Sequence, residues 1–427
     1  MAKEGDLVKL KYDKGTAEGV LMPSSKEGVV VIKLDNGYNI GIEKKKVESM
    51  TVIQKYSAKE TPAKPIAQKK GLPKISILHT GGTIASKVDY NTGGVIARFT
   101  PEEILAMFPE LRDIANVESR LIRNMWSDDM RFAHYNLMAK EVEKEIKNGA
   151  EGVIITHGTD TLHYTSAALA FILQDLPIPV ILVGAQRSSD RGSSDAATNL
   201  IAAARFITKT DFAEVALCMH KTESDDSFFI LPATKTRKMH TSRRDTFRPI
   251  NQLPWAIIEG EKIIIIRKNY RKKSNSKLKI MPIKENLKIA FLKMHPNMFA
   301  EEFECYKNFD GLVLEGTGLG HAPISEIDEF TKEHTKIRKA ISELAKKMPV
   351  VVSPQTIYGR IQINVYSPGR ELQEMGVLGN YSDMTPETTF IKLAWLLSNY
   401  PKQVKEMIVK NIVGEISERT EPEGFLL

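Results

Sequence analysis

Hydrophobic and polar positions change rhythm twice along this chain. Near its start, the short runs "LVKLKY", "AEGVLM", "GVVVIKL" and "YNIGIE" are separated by turn residues. Runs of that length, rich in β-branched residues and bounded by Gly, Asn or Asp, predict short strands. Asn36-Gly37 in "KLDNGYNI" stands between apolar flanks, and this pair suits a tight hairpin because both positions accept positive φ. Residues 1–55 are therefore expected to form a small β barrel of the SH3-like kind. The following stretch, 56–73, is "YSAKETPAKPIAQKKGLP". It is rich in Pro, Ala and Lys without periodicity, which predicts a linker.

From residue 74 onward, buried strands alternate with helical stretches. "KISILH", "GVIITHG" and "IPVILVGA" read as buried strands, and "TLHYTSAALAFIL" and "DAATNLIAAARFI" as helices. "TPEEILAMFPEL" adds a helix start, with Thr100 as N-cap and Pro101 at the first helical position, where its missing N–H costs nothing. Strand–helix alternation of this kind predicts an α/β fold with a doubly wound parallel sheet, whose ligands sit beyond the C-terminal ends of the strands. The expected catalytic unit spans 74–270. "RKNYRKKSNSKLKI" breaks the pattern, and 280–427 then reads as a second, smaller α/β domain through "KIAFLKM", "GLVLEGTGLG", "KIRKAISELAKK" and "TPETTFIKLAWLLSNY".

Composition narrows the class of protein. Of 427 residues, 42% are hydrophobic and 26% charged, ordinary values for a globular chain. No apolar run reaches the roughly 20 residues that a membrane helix needs. The first residues, "MAKEGDLVKLKYDKG", lack an apolar core and a cleavage site, so a cytoplasmic location is expected. Two cysteines, Cys218 and Cys305, are too few for a disulfide framework or a Cys-rich metal site. The net charge of +7 permits a polyanionic partner without requiring one.

The chemistry concentrates at two strand ends. "LHTGGTIAS" and "ITHGTDTLH" each deliver a threonine, Thr83 and Thr159, just past a buried strand, the second with Asp160 beside it. The glycine spacing fits neither common phosphate loop. Glycines here let backbone N–H groups approach a reacting carbonyl, where one oxyanion donor is worth about 3–4 kcal/mol of barrier. A threonine hydroxyl needs a base to become a nucleophile, and a lysine beside a carboxylate in a shielded cleft can be tuned for that task. His79 and His157 adjoin both motifs and read as structural.

These motifs resemble those of the L-asparaginase/glutaminase family. "TGGTIAS" and "THGTDTL" are followed, in the family's order, by "SDDM", "VGAQR", "ATKTRK", "LEGTGLGHAP" and "MTPE". The resemblance implies Thr83 as nucleophile toward a side-chain carboxamide, with Thr159, Asp160 and Lys235 as the supporting catalytic triad. It implies Ser127 and Asp128 as the substrate-binding pair for the α-amino and α-carboxyl groups; many relatives carry Gln where this chain has Asp128. No metal is expected in the chain.

The added N-terminal unit makes the arrangement similar to the D subunits of archaeal glutamyl-tRNA(Gln) amidotransferases. That resemblance implies a glutaminase supplying ammonia to a partner, the amidotransferase E subunit, which uses ATP and Mg to convert Glu-tRNA(Gln) to Gln-tRNA(Gln). It also implies a homodimer within a heterotetramer. The β unit and the basic tract Arg267 to Lys279 are the candidate docking surfaces for the E subunit or tRNA; ordinary solvated charge is the competing reading of that tract. A stand-alone L-asparaginase is the alternative. A catalytically inert RNA-binding scaffold is disfavoured by the complete set of catalytic residue types. Glutamine and asparagine differ by one methylene, worth about 1–3 kcal/mol, so either amide fits.

Overall fold

The computed structural model describes residues 2–22, 24, 27–34, 39–55, 69–81, 86–88, 95–97, 104–105, 107–187 and 194–425. Thr83, the Asn36-Gly37 pair, Thr100, Pro101 and most of the expected linker lie outside the described residues.

The N-terminal unit is a five-stranded antiparallel sheet of β1 (Leu7–Tyr12), β2 (Gly15–Met22), β3 (Val29–Lys33), β4 (Asn39–Glu43) and β5 (Val47–Gln54), in the order β4-β3-β2-β1-β5. Alternation along β1 sends Val8 and Leu10 inward, where they form a small core with Ile32 and Ile42. β4 and β5 occupy opposite edges, yet only the single 3₁₀ turn Lys44–Lys46 joins them. A connection that short reaches about 10 Å. The sheet therefore has to curl until its edges come close, an incompletely closed barrel.

The second unit is built on an eight-stranded sheet. Its strands are β6 (Lys74–His79), β7 (Asn116–Leu121), β8 (Gly152–Thr156), β9 (Val180–Val183), β10 (Val215–His220), β11 (Ser227–Pro232), β13 (Ala256–Glu259) and β14 (Lys262–Ile265), while β12 (Thr236–Lys238) pairs separately with Phe247–Pro249. The order across the sheet is β14-β13-β11-β10-β9-β8-β6-β7. From β7 to β10 neighbours are parallel, whereas β11, β13 and β14 add on antiparallel. The expected parallel sheet is thus a mixed one. Continuous apolar runs such as "SFFILP" mark burial on both faces without marking direction.

Helices α1 (Phe132–Lys147), α2 (Leu162–Ile172) and α3 (Ala196–Lys209) cover the faces of this sheet. Tyr135, Met138, Val142, Leu169 and Phe171 fill one face; Leu200, Ala203, Phe206 and Phe212 fill the other.

The C-terminal unit has a three-stranded parallel sheet, β15 (Ile289–Lys293), β16 (Gly311–Gly316) and β17 (Val350–Pro354), in that order. Helix α4 (Glu333–Lys347) turns Ile337, Ile341 and Leu344 into its core. Helix α5 (Pro386–Asn399) starts at Thr385, whose side chain accepts from the Thr388 N–H. α5 joins the two α/β units: Trp395 packs on Phe171 at 5.4 Å between ring centroids, and its indole N–H donates to the Met281 carbonyl.

The basic tract between the units is largely engaged by the chain itself. Lys272 pairs with Asp211 at 2.9 Å, Arg271 stands 3.7 Å from Asp175, and Lys273 donates to the Ile207 carbonyl at 2.7 Å. Its middle therefore offers little free charge to a polyanion.

Candidate active site

The C-terminal ends of three adjacent strands meet at one edge of the large sheet. His79 at the end of β6 is in register with Thr156 on β8, which is in register with Val183 on β9. Beyond β6, Thr80 turns back onto β8, its N–H and hydroxyl both donating to the Thr156 carbonyl. Gly81 follows with φ +107°, and a Cβ there would stand 2.6 Å from Met125 backbone atoms. This close approach presses Gly81, near the start of the first motif, against the segment leading to Ser127.

Ser127 is buried and sits against the second motif. A Cβ on Gly158 would meet the Ser127 Cβ at 2.9 Å, and Thr161 donates to the Ser127 carbonyl at 2.6 Å. Asp128 is exposed beside it. The histidines hold the frame. His79 bonds Thr156 Oγ1 and Ser119 Oγ, while His157 bonds the Gly158 carbonyl and Thr165 Oγ1. Burial pulls their pKa values down to about 3 and about 4, so both are neutral near pH 7. Past β9, the buried Asp195 accepts the N–H groups of Gln186 and Arg187 and fixes the "VGAQR" turn. Gly184 opens that turn: a Cβ there would lie 2.7 Å from Thr159 Cγ2.

Thr159 is 8% exposed. The lysine that meets it is Lys238, not Lys235. Lys238 Nζ donates to Thr159 Oγ1 at 2.9 Å and to Asp160 Oδ1 at 2.6 Å. Its side chain is only 10% exposed, so the ammonium is largely shielded while Asp160 remains open to solvent.

Lys235 points elsewhere. It occupies the turn after β11, its N–H donating to the Pro232 carbonyl. Its ammonium lies 2.6 Å from Asp383 Oδ2 and donates to the Asp383 carbonyl, with both side chains fully buried. Burial pulls its pKa down to about 8 against the opposing pull of Asp383. Lys235 sits in the turn before β12 and Lys238 at the end of β12, so the turn sends the first lysine to Asp383 and the strand carries the second to Thr159. The expected contact of Lys235 with Thr159 is corrected accordingly. "ATKTRK" carries both lysines, and the turn between β11 and β12 distinguishes them.

Behind the site, the C-terminal unit contributes Glu387, whose Oε1 stands 3.1 Å from Arg237 Nη2 and 4.0 Å from His163 Nε2. Burial, with Arg237 and Lys238 nearby, pulls His163 down to about 3 and removes it as a proton carrier near neutrality. Among the described residues no group of three or more His, Cys, Asp or Glu is arranged to hold a metal ion. Nor is any described helix long and apolar enough to cross a membrane.

Comparison with known proteins follows the same division of the chain. Residues 74–271 match the family described as Asparaginase, N-terminal; 288–408 match the Glutaminase/Asparaginase C-terminal domain; 2–53 match the GatD N-terminal domain. The chain is 45% identical to the D subunit of glutamyl-tRNA(Gln) amidotransferase from Pyrococcus furiosus, over 99% of this chain and 97% of that one. It is 41% identical to the corresponding protein of Methanococcus maripaludis, over 97% and 98%. Among solved structures, the thermostable L-asparaginase from Thermococcus kodakarensis superimposes with a TM-score of 0.71 at 30% identity, covering 81% of this chain and all of that one. L-asparaginase I from Vibrio cholerae gives 0.69 at 26% identity, covering 81% and 99%.

Proposed function

We propose a glutaminase role for this chain, which belongs to the family of glutamyl-tRNA(Gln) amidotransferase D subunits: it hydrolyses a side-chain amide and passes the ammonia to a partner protein that makes Gln-tRNA(Gln) from Glu-tRNA(Gln). The observation that carries this reading is Lys238, held 2.9 Å from Thr159 Oγ1 and 2.6 Å from Asp160 beside the end of a parallel strand.

In this reading Thr83 attacks the carboxamide carbon through its hydroxyl oxygen. Lys238, oriented by Asp160, takes and returns protons through the Thr159 hydroxyl, so that the nitrogen leaves as ammonia. Water then cleaves the resulting ester and releases glutamate or aspartate. Backbone N–H groups of the glycine turns are suited to the oxyanion. Ser127, which abuts Gly158, and the neighbouring Asp128 would meet the amino acid's α-groups.

The partner is the amidotransferase E subunit, which would carry ATP and Mg; this chain is proposed to use neither. Two copies of each protein would form a heterotetramer in the cytoplasm. Ammonia released to water becomes ammonium and is lost as a nucleophile, which favours a docked donor over a free amidase. The test is ammonia release from glutamine by the chain with the E subunit and Glu-tRNA(Gln), for wild type and Lys238→Met. Release dependent on partner and tRNA, and abolished in the variant, supports the reading. Equal turnover by the chain alone would favour a stand-alone asparaginase.

A further inference from the structure

A cavity of about 780 Å³ opens at the edge of the large sheet opposite Thr159, where β10 begins and β11 ends. Its floor includes Glu214, Ala233 and the end of α2; one wall is residues 267–271, and the other is the C-terminal segment 411–421. That segment lies past the family match ending at residue 408. It is firmly held all the same. Glu415 and Lys392 form a fully buried ion pair at 2.6 Å, the Ser417 N–H donates to Asp383 Oδ1, and Arg360 donates to the Ser417 carbonyl. Farther on, Gly424 packs on the Asn251–Gln252 backbone. The cavity wall is therefore built.

Its polar groups are left wanting partners. The Arg267 guanidinium carbon stands over the Trp255 ring, 3.8 Å from the centroid, which sets a planar donor fork on an aromatic platform. Among the described residues, four buried side-chain polar atoms without a hydrogen-bond partner belong to residues around this one cavity: Arg267 Nη1, Trp255 Nε1, Gln252 Oε1 and Ser417 Oγ. Trp255 is 94% buried, being 6% exposed. Arg267 has no carboxylate within 4 Å among the described residues; Glu214 instead accepts the Arg271 N–H at 2.6 Å. Lining cations outnumber lining carboxylates by four to three. A half-buried guanidinium without a contacting counter-charge is unfavourable by itself, and a bidentate oxyanion satisfies it.

We infer that this cavity binds a small molecule bearing a carboxylate or phosphate group, with Arg267 on Trp255 as the oxyanion fork. The volume suits an amino acid or a mononucleotide. This inference stands apart from the proposed amide hydrolysis and uses none of its residues.

The test titrates the full-length chain with inorganic phosphate, AMP and L-glutamate by calorimetry. It compares wild type with Arg267→Gln, Arg267→Lys and the surface control Lys277→Gln. At least one probe should saturate in the millimolar range or below. Its affinity should fall at least about tenfold in Arg267→Gln and less in Arg267→Lys, which keeps the charge but loses the fork. Lys277→Gln should bind as wild type. Binding of phosphate and AMP assigns a phosphate ligand, and binding of glutamate alone assigns a carboxylate. Because glutamate can also enter the amidase site, only the part of its binding that depends on Arg267 counts. If Arg267→Gln does not fold, Arg267→Lys supplies the comparison. No saturation by any probe, or equal saturation in both Arg267 variants and wild type, overturns the inference. Amide hydrolysis measured separately, with the E subunit and Glu-tRNA(Gln) present, should be unchanged by Arg267→Gln, so failure of one proposal leaves the other readable.

Discussion

Lys238 and Thr159 are joined by a 2.9 Å hydrogen bond across 79 positions of sequence, and Asp160 holds the same ammonium from its other side at 2.6 Å. Replacing Lys238 by Met should lower amide hydrolysis about 1,000-fold, the usual loss when a positioned proton carrier is removed. The fold should survive, because the Asp160 carboxylate left behind is open to solvent. Lys235→Met should do the reverse. It leaves the Asp383 carboxylate buried with only Arg360, 3.6 Å away, and the Ser417 N–H for compensation. Uncompensated buried charge costs about 3–5 kcal/mol. Denaturant unfolding and turnover per folded molecule, measured on both variants, separate the two lysines.

The difference between them shows what the sequence makes legible. Thr159 and Asp160 follow a buried strand directly, so strand position and motif chemistry together placed them at the sheet edge. The lysine is contributed by β12, which returns to the site from the far end of β11. Its choice depends on a turn at Lys235, which periodicity does not reveal in "ATKTRK". Strand direction was hidden for the same reason. Apolar runs announce burial, whereas whether β11, β13 and β14 run parallel or antiparallel is set by the length and course of their connections. The alternating strand–helix core, the two α/β units and the strand-rich N-terminal unit were legible because each rests on a local period.

Gly184 should prove intolerant of the smallest side chain. A Cβ there would come within 2.7 Å of Thr159 Cγ2 and 3.4 Å of the His157 carbonyl. Gly184→Ala should push Thr159 away from Lys238 and lower kcat about 100-fold, as expected for a displacement near 1 Å at a reacting centre. Overpacking should cost only about 1–3 kcal/mol of stability. Wild-type kcat in the folded variant would remove Thr159 from the reaction.

Acid should unfold the protein through its buried histidines. His79, His157 and His163 have folded pKa values pulled by burial from 6.5 to about 3, 4 and 3. A base with a depressed folded pKa binds its proton only after unfolding. Its stabilising contribution is therefore complete above pH 6.5 and lost as pH falls toward the folded value. Each histidine should remove about 1.4 kcal/mol per pH unit in that window, and the three together about 4. Urea unfolding between pH 6.0 and 5.0, above most carboxylate titration, measures the slope. His157→Gln should reduce it by roughly the 1.4 kcal/mol per pH unit of one histidine, whatever that variant's stability at neutral pH.

The N-terminal unit should be separable from the chemistry but not from its use. Val8, Leu10, Ile32 and Ile42 close a core of their own, distinct from those of the two α/β units. Four fully or nearly buried side chains are a small core, and units of about 50 residues are marginal alone. A chain lacking residues 1–55 should therefore keep the unfolding transition of its α/β units and the Lys238–Thr159–Asp160 geometry. In the complex with the E subunit and Glu-tRNA(Gln), the measured quantity is Gln-tRNA formed per ammonia released. If the unit serves docking, as the sequence suggests, truncation should lower that ratio several-fold at partner concentrations that still saturate hydrolysis. An unchanged ratio would assign the unit some other task, and a parallel loss of hydrolysis would tie it to the site itself.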